Sequence, residues 1–449
     1  MSNSLSGMAQ VKETRITNHF SALPSYDERA WAREALHTHY EDRLVDKFGY
    51  RQLVTYVPNK SEPIHNWFDY KEGFSKKLVE GLLVEFDARP DELVLDPFCG
   101  CGTTPLTCQQ LGYPAVGLDI LDVAVFAAQV KLRTDYEPHL LESKINQLLA
   151  TPFWESESTF PDIRIIRRAF TSQTMREILF FKEAILSEPD EGIRDFLMLG
   201  LMSILEEVSF TSKDGQFLRL VKREIPLVRE VLGKKLWAMH ADLLGRGQRS
   251  FLYQAPNTRS PTMVLRGDAC HLPLDDESAD IVITSPPYLN RYDYSRIYTL
   301  ELALLFINDF EELKGVRHSL LRSHIEVKPS DTDEVHTPSL REILSNLEGR
   351  KLNNPRIPVM IKGYFEDMFQ AIKELHRVMR PGGRVALVVG NSRFAGEIVP
   401  VDMMLSELAE QAGFHTWAIW VTRYKGNSSQ QMGRYGRRPV RESIILWRK

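Results

Sequence analysis

The sequence predicts a doubly wound α/β protein interrupted by a large helical insertion, and three stretches carry that prediction. The first is a short apolar run, Leu93-Val94-Leu95, ending at Asp96 and a glycine-rich turn. It reads as a buried parallel strand. A helix then runs to about Leu111, and Ala115–Leu118 reads as the next strand, ending at Asp119. This β-turn-α-β unit is how a doubly wound sheet begins. The second stretch breaks the pattern: from about Lys131 the alternation stops, and residues 135–250 carry helical periods, as in Ile193–Val208 and Ile225–Leu244. The third restores it, with strands expected at Met263–Leu265, Ile281–Thr284, Arg384–Gly390, His415–Thr422 and Ser443–Trp447.

Around this frame, a helix is expected over Glu72–Phe86, with Phe74, Leu78, Val79, Leu82 and Leu83 on one face. Residues 1–60 are polar but hold Trp31, Tyr40, Tyr50 and Tyr56, which suit an ordered arm. A polar segment, Leu313–Pro358, is expected to interrupt the α/β pattern a second time.

Composition narrows the class. With 43% hydrophobic and 26% charged residues, the chain can bury a core. No run approaches the roughly 20 apolar residues of a membrane span, and the first residues lack the apolar segment of a secretory signal. A cytoplasmic location follows as the expectation. Four cysteines are too few for a disulfide framework in 449 residues. Cys99-Gly-Cys101 has no second Cys/His pair at zinc spacing, and no histidine pair at i, i+4 comes with an acid, so no metal is expected. The net charge of −4 does not advertise nucleic acid; a DNA surface would have to be a local patch. The stretch Arg423–Lys449 is such a patch, with eight basic residues against the single acid Glu442.

Two loops carry chemistry. Asp96-Pro97-Phe98-Cys99-Gly100-Cys101-Gly102-Thr103-Thr104 lies between a strand and a helix. Gly100 and Gly102 permit tight turning and close approach of a ligand to backbone. A pyrophosphate site would want a third glycine, and Asp96 would repel phosphate. A ligand with an ammonium and a diol but no phosphate suits the loop better. S-adenosylmethionine (SAM) is one: Asp96 can take the ammonium and Asp119 the ribose hydroxyls. A merely tight β-α turn with a capping Asp would look the same from the two glycines alone.

The second loop is Ser285-Pro286-Pro287-Tyr288, at the end of the strand Ile281–Thr284. Two prolines donate no backbone hydrogen bond and hold the chain extended. Ser285 Oγ and the Pro286 carbonyl can accept the hydrogens of a planar amino group, with the Tyr288 ring stacked on the base. Such acceptors localise the nitrogen lone pair, so that it can attack a sulfonium methyl without a covalent enzyme intermediate or a metal. A Pro-Pro loop punctuating a sheet edge is the plainer alternative. Tyr292, Asp293, Tyr294 and Arg296 either line the base pocket or form a solvated turn. Ser209–Arg219 is either a loop touching DNA or SAM, or a helix–helix turn at Asp214-Gly215.

As a set, these motifs resemble the SAM-dependent DNA amino-methyltransferases of prokaryotic type, which modify N4 of cytosine or N6 of adenine. Asp96–Thr104 is similar to their first SAM motif and Ser285–Tyr288 to their catalytic motif. Asn66–Ser75 (NWFDYKEGFS) is similar to their N-terminal motif, and Leu375–Gly390 to their helix, PGG turn and central strand. The resemblance implies the Rossmann-like class I SAM-dependent methyltransferase fold. It implies SAM as cofactor, held by Lys71, Phe74, Asp96, Phe98, Gly100, Gly102, Thr103, Thr104, Asp119, Asp268 and Ala269. It makes Ser285, Pro286, Pro287 and Tyr288 the catalytic residues and duplex DNA the partner, and admits a cognate restriction or defence nuclease as a second partner. Ser at the first catalytic position leans toward cytosine N4; Asp or Asn there leans toward adenine N6. Cys101 departs from the commoner small Ser between the glycines.

The expected division is an arm (1–60), a SAM-binding half (61–133) and a helical insertion for target recognition (134–258). A catalytic-loop part (259–312), a second insertion (313–358) and a C-terminal part (359–449) follow. Within the last, the basic loop 423–442 is expected to hold DNA phosphate through Lys425, Arg434, Arg437 and Arg438. RNA amino-methylation is the competing class, since some RNA and protein enzymes use a similar loop, but no RNA-binding module is recognisable in residues 1–60. A non-catalytic DNA-binding relative would be expected to have lost its active loops, and these are intact. Cytosine C5 methylation needs a Pro-Cys nucleophile, and the sequence has no such dipeptide.

Overall fold

The computed structural model describes residues 30–213, 217–249, 262–326, 334–426, 433, 436 and 438–449. Arg434, Arg437, residues 1–29 of the arm and the Asp214-Gly215 pair lie outside the described residues. The strands in chain order are β1 (Leu44–Asp46), β2 (Val94–Asp96), β3 (Ala115–Asp119), β4 (Thr211–Ser212), β5 (Arg219–Leu220), β6 (Met263–Arg266), β7 (Ala279–Thr284), β8 (Met379–Gly390), β9 (Ser392–Phe394), β10 (Glu397–Val399), β11 (His415–Lys425) and β12 (Val440–Arg448).

Eight of these make one sheet in the order β1-β11-β12-β8-β7-β2-β3-β6. All pairings in it are parallel except those of β12, which runs antiparallel to both β8 and β11. Successive residues serve opposite faces, as the pleat demands. Val94, Ile281, Ile283, Ala386, Val388, Ile444 and Leu446 pack on one side with Leu78, Val79 and Leu82 of the helix Lys76–Glu85. Leu95, Val282, Val385, Leu387, Ile445 and Trp447 face the other, against the helices Ile357–Val378 and Val401–Gln411. Burial on both faces is why these strands read as continuous apolar runs. The chain passes from β2 outward to β3 and β6, then returns to β7 on the other side of β2. The carboxyl ends of β2 and β7 therefore flank a topological switch point, where open α/β sheets bind ligands.

Between β3 and β6, after the helix Asp122–Leu132, the described residues form five further helices, Pro138–Ala150, Arg164–Ala169, Ser172–Leu186, Glu191–Ser203 and Val228–Arg249. They share a core with the helix Asp122–Leu132. The last helix grips the Asn66–Ser75 motif: Asp242 Oδ2 accepts from Ile64 N at 2.9 Å and Trp67 Nε1 at 3.0 Å, and Lys235 Nζ donates to the Asn66 carbonyl. The arm is anchored too. Arg33, in the helix Trp31–Tyr40, is buried between Glu342 at 2.6 Å and Glu397 at 2.7 Å, and β1 adds an edge strand beside β11.

Several boundaries differ from expectation for local reasons. The helix expected from Glu72 begins at Lys76, because Ser75 is its N-cap and accepts from Leu78 N. Ser75→Ala should cost about 1 kcal/mol, measurable as a shift in the denaturant midpoint with unchanged slope. The helix expected to Val208 ends at Ser203, and Thr211–Ser212 pairs antiparallel with Arg219–Leu220. The described residues on either side of 214–216 thus pair as a small ribbon, and the turn expected at Asp214-Gly215 itself lies outside the described residues. The polar stretch 313–358 is partly helical, containing most of Phe310–Ser319 and all of Pro338–Glu348. The strand expected from Arg384 starts at Met379, with Gly382 at φ +82° inside it. β11 and β12 pair as expected but extend to Lys425↔Val440, shortening the basic connection to residues 426–439.

Candidate active site

A cavity of about 470 Å³ opens at the carboxyl ends of β2, β3 and β7. Its floor is the glycine loop. Gly100 (φ +50°) and Gly102 (φ +84°) are both left-handed. A Cβ at Gly100 would stand 2.7 Å from the Tyr70 ring, and one at Gly102 2.8 Å from Ala128 Cβ. Both positions thus require glycine for conformation and for space. Asp119 braces the loop: Oδ2 accepts from Gly100 N and Oδ1 from Leu121 N, each at 2.9 Å.

Asp96 is 1% exposed yet lines the cavity. Its Oδ1 accepts from Thr284 Oγ1 at 2.6 Å and from Phe98 N at 3.2 Å. Burial pushes its carboxyl up to about 7 and that of Asp119 up to about 6. Glu72 and Asp268 also line the cavity. The two arginines that line it are already engaged, Arg317 with Asp293 at 2.9 Å and with Glu326, Arg322 with Asp367 at 2.5 Å. The cavity therefore offers carboxylate to a cationic ligand and suits poorly a phosphate. An ammonium and a ribose diol fit it.

Of the residues expected to hold the cofactor, Phe74, Asp96, Phe98, Gly100, Thr103, Asp119, Asp268 and Ala269 line this cavity. Gly102 caps the helix Thr103–Leu111 behind it, and Thr104 Oγ1 is turned to the Ile283 carbonyl. Lys71 lies apart. Its exposed ammonium goes to Glu206, in the turn after the helix Glu191–Ser203, at 3.4 Å and to the Lys213 carbonyl at 3.2 Å.

Ser285 and Pro287 line the cavity from the end of β7. Ser285 Oγ donates to the Val388 carbonyl at 3.1 Å, which commits its proton and leaves its lone pairs to accept. Tyr288 stands behind them, its hydroxyl donating to Glu442 at 3.1 Å. Tyr294 lines the cavity, while Asp293 is buried as the N-cap of the short helix Tyr294–Ile297 and Arg296 is exposed against Glu326. Of the four residues singled out after the catalytic loop, Tyr294 thus lines the cavity, Tyr292 reaches Glu72 on its wall, Asp293 is buried and Arg296 is exposed.

Several lining residues had no role assigned from sequence. Glu72 accepts from the hydroxyls of Tyr292 and, at 2.7 Å, Tyr298, and Tyr70 stacks on Tyr298 at 5.0 Å. Tyr70 and Glu72 sit inside the quoted Asn66–Ser75 motif, where the signal was present. Arg317–Ser323 and Asp367 form the opposite wall, and no local pattern marks them.

Among the described residues, most of the basic patch is paired. Arg423 and Lys425 are on β11 and both pair with Glu442; Arg441 pairs with Asp402 at 3.0 Å; Lys449 donates to the His376 and Met379 carbonyls. Arg438 is partly buried. Among the described residues, no group of three or more His, Cys, Asp or Glu could hold a metal ion, and no helix is long and apolar enough to cross a membrane.

Comparison with known proteins agrees with this chemistry. Residues 27–129 match a family model described as DNA methylase, of the N6/N4 type. The chain is 34% identical to the Type II methyltransferase M.BsoBI of Geobacillus stearothermophilus, across 97% of this chain and 95% of that protein. It is 33% identical to the Type II methyltransferase M.AvaI of a Nostoc species, across 93% of each. Among solved structures, a SAM-dependent methyltransferase from Aquifex aeolicus aligns over 82% of this chain and 88% of its own, at 11% identity and a TM-score of 0.25.

Proposed function

The chain belongs to the N6/N4 amino-methylating family of Type II DNA methyltransferases, with SAM as methyl donor, and from that premise we propose that it methylates N4 of cytosine in duplex DNA. The carrying observation is Ser285, whose Oγ gives its proton to the Val388 carbonyl and so presents only acceptor lone pairs to the cavity. An exocyclic amino group pointing one hydrogen at Ser285 Oγ and the other at the Pro286 carbonyl is drawn toward tetrahedral geometry, and its lone pair becomes available. Ser rather than Asp or Asn at this position supports cytosine over adenine. The amino group is not accessible in this orientation inside a duplex, so the base is turned out of the stack.

SAM, when bound, supplies an electrophilic methyl on its sulfonium sulfur. Asp96 would hold the ammonium, Asp119 the ribose hydroxyls and Asp268-Ala269 the adenine, with Phe74 against the methionine end. Lys71, paired to Glu206, is the residue proposed beside Phe74 to help hold the methionine end. The chain's own contribution is positioning and exclusion of water: Ser285 and Pro286 aim the nitrogen, and Tyr288 sets the plane of the base.

The helical segment 134–258 is the proposed target-recognition region. Its grip on Asn66 and Trp67 through Lys235 and Asp242 would couple it to the cofactor wall. The basic connection with Arg434, Arg437 and Arg438 would supply phosphate contacts, and a cognate nuclease is the proposed second partner. Sequencing that distinguishes methylated cytosine from methylated adenine, on DNA from cells expressing the protein, tests the base. Methylated cytosine within one recurring site is expected. Methylated adenine alone would overturn the cytosine assignment.

A further inference from the structure

Tyr288 is restrained at its tip and over its ring. Its hydroxyl donates to Glu442 Oε1 at 3.1 Å, and Glu442 is 1% exposed. The same carboxylate takes Arg423 Nε and Lys425 Nζ from the neighbouring strand, where Arg423 and Glu442 are register partners. Lys425 Nζ then lies over the Tyr288 ring, 5.2 Å from its centroid. That is within the roughly 6 Å of a cation–π contact. On β8, Gly390 pairs with Glu442, and a Cβ there would stand 3.0 Å from Tyr288 Cδ2 and Cε2. The ring therefore rests against bare backbone at one side. Burial and the Glu442 charge keep the phenol protonated, hence a donor.

Resting on the reading of Tyr288 as the residue that stacks on the target base, we propose that Glu442 is a positioning residue for that ring and that the Lys425 ammonium covers the ring face the base must take. A cation over a ring and a stacked base cannot occupy one face together. Entry of the base therefore displaces Lys425 from the ring. Arg423 remains on Glu442 at that moment, so the buried carboxylate keeps a cation and its hold on the Tyr288 hydroxyl. Two cations on one carboxylate are explained by these two duties. Lys425 thereby acts on base entry rather than as a phosphate contact of the basic loop.

Two measurements separate these roles. In the first, 2-aminopurine replaces the target base of a duplex, and its fluorescence reports unstacking. Lys425→Ala should raise the extruded fraction at saturating protein severalfold, with the slope of log affinity against log salt unchanged. A slope lowered by about 0.9 together with less extrusion would make Lys425 a phosphate contact and overturn its part of the proposal. In the second, Tyr288→Phe and Glu442→Gln are each expected to lower kcat by about 10- to 100-fold, the range of a hydrogen bond to a charged group. SAM affinity should be retained in both. The double variant should be no slower than the slower single one, because both remove the same restraint. Effects that multiply would show that Glu442 does not act through Tyr288. Tyr288→Phe keeps the ring and removes only the hydroxyl, so it reads the restraint even if Glu442→Gln folds poorly; full activity in it overturns the positioning role. If the wild-type protein methylates no DNA at all, the reading of the site itself has failed, which these variant comparisons would not mimic.

Discussion

Asp96→Asn is expected to weaken SAM binding by about 100-fold while raising the melting temperature of the ligand-free protein. The loss follows from removing a buried, charge-assisted contact, about 3 kcal/mol at its upper range. The gain follows from the carboxyl's burial. In the folded protein Asp96 is pushed up to about 7, against an ordinary 3.8. Below pH 4 the carboxyl is protonated in both folded and unfolded chains. Between pH 4 and 7 it ionises readily only when unfolded, so stability falls as pH rises and this contribution is lost above pH 7. Asn keeps an acceptor for Thr284 Oγ1 and removes the titration. Melting curves between pH 5 and 8 should therefore flatten in the variant. In the native protein the ammonium needs the ionised carboxylate, so SAM affinity should weaken by up to about tenfold for each pH unit below 7. Asp119, pushed up to about 6, adds a second and lower inflection. Calorimetry at pH 5.5 and 8 on both proteins decides this. Equal SAM affinity for native and variant would remove Asp96 from the cofactor.

The second large effect is on turnover. Tyr288→Ala should lower kcat by about 100- to 1,000-fold and leave SAM affinity within about twofold. Loss of aromatic stacking on a base is worth about 1–3 kcal/mol, and a misplaced nitrogen costs roughly another hundredfold. SAM is spared because Tyr288 stands behind Ser285 and Pro287, away from Asp96, Asp119 and the glycine loop. The truncation also leaves a void beside Gly390, so the variant should melt earlier. Stoichiometric SAM binding by calorimetry is the check that it is folded. If Tyr288→Ala abolished SAM binding as fully as Asp96→Asn, the division of the site into a donor wall and a base wall would be wrong.

What the sequence made legible was local. Val94-Leu95-Asp96 and the glycine loop are contiguous, and each residue's role follows from its strand end or its turn. Ser285-Pro286-Pro287-Tyr288 is similarly self-contained. The failures come from partners distant in the chain. Glu442 lies 154 residues from Tyr288 and was legible only as the lone acid in a basic run. Lys425 looked like a loop cation because nothing local shows that β11 continues to it. Lys71 has a motif position, but its pairing with Glu206, 135 residues away, is not readable from the motif. Arg317–Ser323 joins the cavity wall through tertiary pairing of Arg317 with Asp293 and Arg322 with Asp367. Their segment reads only as polar. Helix ends moved for the same reason that caps matter: Ser75 satisfies Leu78 N and stops the helix from starting earlier.

The most direct test is the atom that receives the methyl group. DNA methylated by the purified protein with isotopically labelled SAM, digested to nucleosides and resolved by mass spectrometry, should contain labelled N4-methylcytosine. Label only in N6-methyladenine would keep the amino-methyltransferase and contradict the cytosine assignment drawn from Ser285. Label in 5-methylcytosine would contradict the chemistry itself, since carbon methylation has no use for an acceptor pair at Ser285 and Pro286.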